Sequence, residues 1–251
     1  MSSIPVTGAA EGIGRATATP LDNPVYSALA GPHAHLAQQR GNALRYQPEV
    51  SPFTALPDSA DDADWADIAE LVGPGANVLL AGPGIEPPSG WETVERIALL
   101  QFVDDGVAAV PDEEAGLLAE ADIPEMLALA ARTKPGPFLP RTVEMGAYYG
   151  IRRDGHLVAM AGERMRLPGW TEISAVCTDP DWRGHGFASR LVSTVAAGIR
   201  GRGETPFLHV LESNANAIRL YESLGFRVRR ALGIVLARPP AEVPTVVRQG
   251  A

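Results

Sequence analysis

The stretch Arg183-Gly184-His185-Gly186-Phe187-Ala188 has the residue types and the setting of a phosphate-binding loop. A β-branched, strand-like run precedes it at 171–178, and a run with helical apolar periodicity follows it. Glycine lets the backbone approach a ligand closely, and the first turn of a helix offers free N–H groups to an anion. These residues therefore predict a pyrophosphate cradle between a strand and a helix.

A second glycine-rich stretch lies near the N-terminus. It has the T-G-x-x-x-G-x-G spacing of short-chain dehydrogenases, at Thr7, Gly8, Gly12 and Gly14. Pro20 would stop the helix that such a loop needs, and the Tyr-x-x-x-Lys pair of those enzymes is absent, since Ala130 stands four residues before the only lysine, Lys134. A dehydrogenase is therefore a remote alternative, and we predict that residues 1–20 form a disordered tail.

Composition narrows the function classes further. The 251 residues are 45% hydrophobic and carry a net charge of −9, which disfavours a nucleic-acid partner and favours cationic substrates. The single cysteine, Cys177, excludes an internal disulfide and a cysteine-based zinc site. No apolar run reaches the roughly 18 residues of a membrane span, and no signal peptide is recognisable. We expect a cytoplasmic protein without a metal or a membrane partner.

Elements able to position the loop can be read along the chain. Asp154-Gly155 predicts a hairpin turn between two strands, and Asp122 with Glu125 has the spacing of a helix-capping box. Further helices are predicted at 23–40, 55–72, 187–199 and 214–224, the last ending at Gly225. Further strands are predicted at 77–81, 171–178, 206–212 and 226–237, and 91–103 is predicted as a helix leading into a strand.

Two blocks then carry a resemblance to a known family. These blocks resemble the signatures of the GNAT superfamily of N-acetyltransferases. They are V-C-T-D-P-x-x-R-G-x-G-x-A at 176–188 and N-x-x-A-x-x-L-Y-x-x-x-G-F at 214–226. The order of predicted elements over 106–238 is similar as well, in particular to the glycine acyltransferase-like branch. In some members of that branch a degenerate acetyltransferase-like domain precedes the active one, which would suit the first half of this chain.

The resemblance implies an α+β fold with a mixed, splayed β-sheet flanked by helices. It implies that acetyl-CoA lies where strands 171–178 and 206–212 splay apart, with backbone groups on its pantetheine arm and pyrophosphate. Asn214 would hydrogen-bond the cofactor arm, although it could instead only cap the helix that follows. The implied cofactor-binding residues are Val176, Cys177, Thr178, Arg183, Gly184, His185, Gly186, Phe187, Ala188 and Asn214.

The same resemblance implies catalytic residues. Tyr221 would protonate the departing CoA thiolate, with core packing as its alternative role. Glu172, six residues before Thr178, would be the general base; Glu163 or a water chain are the alternatives. Strand alternation predicts that the side chain of Glu172 shares one face with those of Ser174, Val176 and Thr178.

Other candidate residues have ordinary interpretations. Cys177 has no activating base nearby in the sequence and is predicted to be a buried, inert thiol. His33 and His35 lack a carboxylate at ligand spacing, and His209 is interpreted as interior packing. The acidic run that precedes the second helix is interpreted as a solvated helix start, with Asp58, Asp61, Asp62 and Asp64.

The sequence thus predicts an acetyl-CoA-dependent N-acetyltransferase that acetylates a primary amine, whether a small amine, an amino acid or a peptide. A non-catalytic acyl-CoA sensor is the alternative. We expect a monomer or homodimer. The predicted organisation is a tail at 1–20, an N-terminal domain of unclear role at 21–105, the acetyltransferase domain at 106–240 and a tail at 241–251.

Overall fold

A computed structural model describes residues 19–82 and 84–241. The dehydrogenase-like glycines and nearly all of the two predicted tails lie outside these residues. The helices are α1 (Pro24–Leu29), α2 (Asp62–Val72), α3 (Ile123–Thr133), α4 (Phe187–Gly201) and α5 (Ala215–Ser223). The strands are β1 (Ala37–Arg40), β2 (Ala43–Tyr46), β3 (Phe53–Ala55), β4 (Val78–Ala81), β5 (Glu92–Asp104), β6 (Gly116–Leu117), β7 (Tyr148–Arg153), β8 (His156–Leu167), β9 (Trp170–Thr178), β10 (Thr205–Leu211) and β11 (Phe226–Arg238).

All of these strands join one mixed sheet, in the order β1-β2-β3-β4-β11-β5-β10-β9-β8-β7-β6. Neighbouring strands are antiparallel except for two parallel pairs, β3–β4 and β9–β10. Phe207 packs in the cluster that contains α1, whereas its neighbour Leu208 packs in the cluster that contains α4 and α5. Because successive side chains of a strand point to opposite faces, α1 and α4 cover opposite faces of the sheet. The predicted α+β class is confirmed.

The strand order has an internal symmetry. Two successive units of the chain have the same arrangement of elements. They are β1-β2-β3-α2-β4-β5 and β7-β8-β9-α4-β10-β11. The last strand of each unit pairs within the other unit, because β5 lies beside β10 and β11 lies beside β4. The predicted domain boundary after residue 105 falls between these units in chain order, and the sheet continues across it.

Local sequence signals predict several elements correctly. Asp154 (φ 51°) and Gly155 (φ 81°) both adopt the left-handed conformation that a tight hairpin turn between β7 and β8 requires. The predicted apolar face of α4 is confirmed, since its members are at most 3% exposed: Phe187, Leu191, Val192, Val195 and Ile199. Gly225 (φ 97°) follows the end of α5, as its C-cap pattern predicts.

Three predictions are wrong, each for a physical reason. Residues 92–104 are a strand throughout, because β10 and β11 pair with them on both sides and this pairing overrides helical periodicity. The helix predicted over 23–40 ends at Leu29, since the Gly31-Pro32 pair that follows cannot continue it. Asp122 does not cap α3; its carboxylate accepts the N–H of Ala119 and pairs with Arg152.

Among the described residues, no helix combines the length and the apolar character that crossing a membrane would need.

Candidate active site

The parallel strands β9 and β10 separate after three paired positions. They pair at Trp170 with Thr205, Thr171 with Pro206 and Glu172 with Phe207, and pairing then stops. Beyond this point β9 remains paired with β8, and β10 remains paired with β5. A gap therefore opens between 173–178 and 208–211, and the strand edges along it have no strand partner among residues 19–82 and 84–241.

A β-bulge shapes the edge of β9 along this gap. Met160 pairs with Cys177 and Gly162 pairs with Ser174, so β9 has one more residue than β8 over this interval. Ala175 takes up the extra residue with a left-handed φ of 52°, which is unusual for a residue other than glycine.

The bulge reverses the alternation of side chains along β9. Ile173 and Val176 both pack in the cluster of α4, whereas Cys177 packs in the cluster of α3. The expectation that Glu172, Ser174, Val176 and Thr178 share one face is therefore wrong. Glu172 lies on the α1 face together with His209, while Val176 lies on the α4 face.

The predicted glycine loop lies between β9 and α4, at the α4 side of the gap. Gly184 and Gly186 have left-handed φ angles of 83° and 72°, and a Cβ atom added at either would meet no heavy atom within 4 Å. The N–H groups of Gly184, His185 and Gly186 donate no hydrogen bond to another described residue. The exposed guanidinium of Arg183 makes no ion pair within the described part of the chain. The loop and the first turn of α4 thus leave donors and positive charge for an anion.

Asn214 stands at the N-cap of α5, and Tyr221 of the same helix packs in the cluster of α4. Asn214 Oδ1 accepts the N–H of Ala217 at 3.1 Å, so the side chain caps the helix, while its amide nitrogen makes no hydrogen bond within the described residues. Tyr221 is 8% exposed and packs edge-on or tilted against Phe226 and Phe102. Burial, followed by the nearby charge of Glu172, raises the pKa of Tyr221 to about 12, so its hydroxyl stays protonated at neutral pH.

Glu172 forms a buried ion pair. Arg164 donates Nε–H and Nη2–H to its two carboxylate oxygens at 2.8 and 2.6 Å, and Glu172 is 0% exposed. Burial alone would raise the pKa of Glu172, but the charge and hydrogen bonds of Arg164, with those of His209, lower it to about 2. The carboxylate is therefore ionised at every physiological pH and is a weak proton acceptor.

His209 lies on Glu172 and has a defined protonation pattern. Its Nδ1 is 2.8 Å from Glu172 Oε1, and its Nε2 is 3.1 Å from Gln101 Nε2. Arg229 can only donate, and it donates to Gln101 Oε1 at 2.8 Å, so the amide nitrogen of Gln101 must face His209 as a donor. His209 therefore accepts at Nε2 and donates Nδ1–H to Glu172.

A small cavity lies on the α1 face beside this group, and we call it the inner cavity. Residues of α1, β3, β4, β5, β8, β10 and β11 line it, and among the described residues its polar side chains are those of Arg164 and His209. Glu172 and Glu163 do not line it. Glu163 is 5% exposed and pairs instead with Arg202 at 2.9 Å.

Sequence reasoning missed Arg164 and His209. The available signal was a charged or titratable residue inside an otherwise apolar strand pattern at both positions, which usually requires a buried partner. The pairing of His209 with Glu172 spans 37 residues and depends on how β9 and β10 meet.

The remaining candidates are placed away from catalysis. Burial raises the pKa of the Cys177 thiol to about 11, so it stays protonated. His33 is buried, its Nδ1 lies 3.0 Å from the Tyr46 hydroxyl, and burial lowers its pKa to about 4. No three His, Cys, Asp or Glu side chains among the described residues converge on a site for a metal ion.

Comparison with known proteins agrees with this geometry. The FR47-like protein family matches residues 148–234. The crystal structure of a protein assigned as a GNAT-family acetyltransferase, from Novosphingobium aromaticivorans, is 45% identical, with a TM-score of 0.82 over 88% of this chain and 99% of that one. A GCN5-related N-acetyltransferase from Kribbella flavida shares the fold at 22% identity, with a TM-score of 0.60 over 88% of this chain and 97% of that one.

Curated relatives are similar over a shorter range. A mycothiol acetyltransferase from Nocardiopsis dassonvillei is 31% identical over 160 residues, which are 56% of this chain and 46% of that protein. This chain spans less than half the length of the mycothiol acetyltransferases that it matches. With 45% identity to a GNAT protein along 99% of that protein's length, the chain belongs to the GNAT acetyltransferase family.

Proposed function

We propose that this protein is an acetyl-CoA-dependent N-acetyltransferase that acetylates a primary amine by direct attack. The observation that carries the proposal is the gap between β9 and β10, which has an anion-binding loop on the α4 face and His209 in a cavity on the α1 face. A thioester approaching from one face and an amine approaching from the other would meet in this gap.

The α4 face offers the groups that would hold acetyl-CoA. The free N–H groups from Gly184 to Ala188 would bind the pyrophosphate, with Arg183 adding positive charge. The unpaired edge of β9 at Val176 to Thr178 would pair with the pantetheine arm, and the free amide nitrogen of Asn214 would donate to it. Bound there, acetyl-CoA supplies the electrophilic acetyl group.

Tyr221 would act as the general acid. Its pKa of about 12 keeps the hydroxyl protonated, and this hydroxyl makes no hydrogen bond to another described residue. It is therefore available to donate a proton to the departing thiolate, which leaves as the C–S bond breaks. Its burial among aromatic rings keeps water away from this proton transfer.

His209 would accept the proton of the attacking amine, with Glu172 as its positioning carboxylate. His209 lines the inner cavity, whereas Glu172 does not and has both oxygens bound by Arg164. The Nε2 of His209 accepts an N–H from Gln101, so the proposed base requires the amide of Gln101 to give up this contact to the attacking amine. A carboxylate behind Nδ1–H fixes the imidazole tautomer and stabilises the imidazolium that forms. In this proposal Glu172 has a supporting role, and Glu172 itself, Glu163 or water are the alternative bases.

Two measurements test the function. CoA and acetyl-CoA should raise the melting temperature, and acetyl-CoA with a panel of primary amines should release free thiol. His209→Asn should lower kcat by about 10²-fold while CoA still stabilises the protein. Unchanged turnover in His209→Asn would return the role of base to Glu172, Glu163 or water. CoA binding without thiol release from any amine would identify a non-catalytic acyl-CoA sensor instead.

A further inference from the structure

A second, larger cavity shares the lining residue Gly82 with the inner cavity, and we call it the outer cavity. The side chains of Asn23, Asp58 and Glu86 supply hydrogen-bond acceptors to its lining, which also includes Trp65, and no basic side chain among the described residues lines it. Glu86 is already paired with Arg96, whereas Asp58 makes no ion pair within the described residues. The outer cavity therefore favours a hydrogen-bond donor, and a positive charge most of all.

Asn23 points an unused acceptor at this space. It stands at the N-cap position of α1 but does not cap the helix. Its Nδ2 donates to the carbonyl of Leu56 and to Asp58 Oδ1, each at 2.9 Å, which fixes the orientation of the amide. Its Oδ1 is buried without a hydrogen-bond partner, and the residue is only 6% exposed. A buried acceptor of this kind costs free energy unless a ligand or water donates to it.

Gly82 lines both cavities and marks their junction. A Cβ atom added at this position would lie 3.1 Å from Ile85 Cδ1 and 3.5 Å from Asn23 Oδ1. A side chain at this position would therefore fill space beside the unused acceptor. His209 lines the inner cavity, Asn23 lines the outer cavity, and Gly82 lines both.

We propose that the two cavities form one acceptor site for a primary amine that carries a second, protonated nitrogen at the far end of an apolar stem. The reacting amine would lie at His209, the stem in the inner cavity, and the second nitrogen at Asn23 Oδ1 and the Asp58 carboxylate. This rests on the proposed function and assigns a role to residues 21–105, which supply most of the outer cavity. The charge balance of the chain, −9, would favour the approach of such a cation.

The test compares 1,5-diaminopentane with pentylamine, which share the stem and differ in the second nitrogen. Thiol release with acetyl-CoA gives kcat and KM, and the melting temperature in the presence of CoA gives binding without turnover. Asp58→Asn removes the charge but keeps an oxygen for Asn23, and Gly82→Val narrows the junction. Asp62→Asn and Gly201→Val are matched controls, because neither residue lines a cavity and a Cβ atom at Gly201 meets nothing within 4 Å.

We expect a KM for the diamine about tenfold below that for pentylamine, and Asp58→Asn and Gly82→Val should abolish this difference while the controls keep it. If no amine releases thiol, N-acetylation fails, yet a melting-temperature rise with the diamine that is lost only in Asp58→Asn and Gly82→Val still supports the site. Equal behaviour of the two amines in both measurements, or equal effects of Asp58→Asn and Asp62→Asn, would overturn the proposal.

Discussion

The two parallel strand–helix–strand units of this sheet, β3-α2-β4 and β9-α4-β10, have the same topology but opposite chemistry where the helix begins. In the second unit, α4 begins at Gly186 without a capping side chain and without an acidic residue in its first turn. In the first unit, Asp61 Oδ1 accepts the N–H of Asp64 at 2.9 Å, and Asp62 and Asp64 place negative charge in the first turn of α2.

This difference decides which ligand each unit can take. The dipole and the free N–H groups at the start of a helix attract anions. In α2 the carboxylates of the helix itself already interact with its dipole and accept a hydrogen bond from its first turn. The N–H groups before α4 remain free. The same strand–helix–strand topology would therefore favour an anion site before α4 and disfavour one before α2.

The loop between β3 and α2 has a different proposed role from the glycine loop between β9 and α4. Residues 56–61 connect β3 to α2, as the glycine loop connects β9 to α4, and Asp58 within them lines the outer cavity. In the proposed acceptor site, the position that holds a pyrophosphate in one unit therefore holds a cation in the other.

The most complete expected effect is loss of CoA binding. Gly186→Trp should fill the open space before α4 and abolish the stabilisation by CoA, which at 100 times Kd is about 2.7 kcal/mol. Gly75→Trp is the matched control, because Gly75 also has a left-handed φ (69°) and open space, but follows α2. Thermal shift measurements with CoA check both variants. A full CoA shift in Gly186→Trp would show that the glycine loop of the second unit does not bind the cofactor.

The next effect concerns the buried charge pair of the second unit. Glu172→Gln leaves Arg164 without its counter-charge and should lower the free energy of unfolding by about 3–5 kcal/mol at neutral pH. The pKa of Glu172 is about 2 in the folded protein, against an ordinary value of 4.5. Its stabilising effect is therefore complete above pH 4.5 and is lost as pH falls towards 2.

Urea unfolding at several pH values measures this contribution. The wild-type free energy of unfolding should fall more steeply below pH 4.5 than that of Glu172→Gln. Asp62→Asn, an exposed change in the first unit, should leave the slope unchanged. Parallel pH profiles for wild type and Glu172→Gln would contradict the low pKa of this carboxyl.

A smaller effect is expected at Tyr221. Tyr221→Phe removes only the acidic hydroxyl and should lower kcat by about 10²-fold, with CoA binding retained. Tyr149→Phe is its control, since Tyr149 packs in the same cluster as Tyr221. Steady-state kinetics at saturating acetyl-CoA measure both. Equal turnover of Tyr221→Phe and wild type would reduce Tyr221 to a packing residue.

Much of the fold could be predicted because short stretches of the sequence determine the turn or the helix that they form. Asp154-Gly155 sets a turn through its own backbone preferences, and the apolar spacing of α4 identifies its buried face. The strand β5 could not be identified in this way. Its sequence is compatible with a helix, and its conformation depends on β10 and β11, which are more than 90 residues away in the chain.

The features of the candidate site also differ in whether a local stretch of sequence predicts them. The glycine loop is a contiguous motif and was predicted from its residues. The bulge at Ala175 was not, since alanine gives no signal for a left-handed φ. The group of Arg164, Glu172 and His209 joins three strands, so its assembly follows from strand pairing and not from spacing along the sequence.

The smallest expected effect concerns the N-terminal cap of α2. Asp61→Ala removes the cap of that helix and should cost about 1 kcal/mol of stability, because the N–H of Asp64 loses its acceptor at an exposed helix end. CoA should still raise the melting temperature of this variant by the wild-type amount, since the helix start that binds an anion belongs to α4. Unfolding in urea with and without CoA separates the two quantities. A reduced CoA effect in Asp61→Ala would show that the start of α2 also contributes to cofactor binding, and the division of roles between the units would then be wrong.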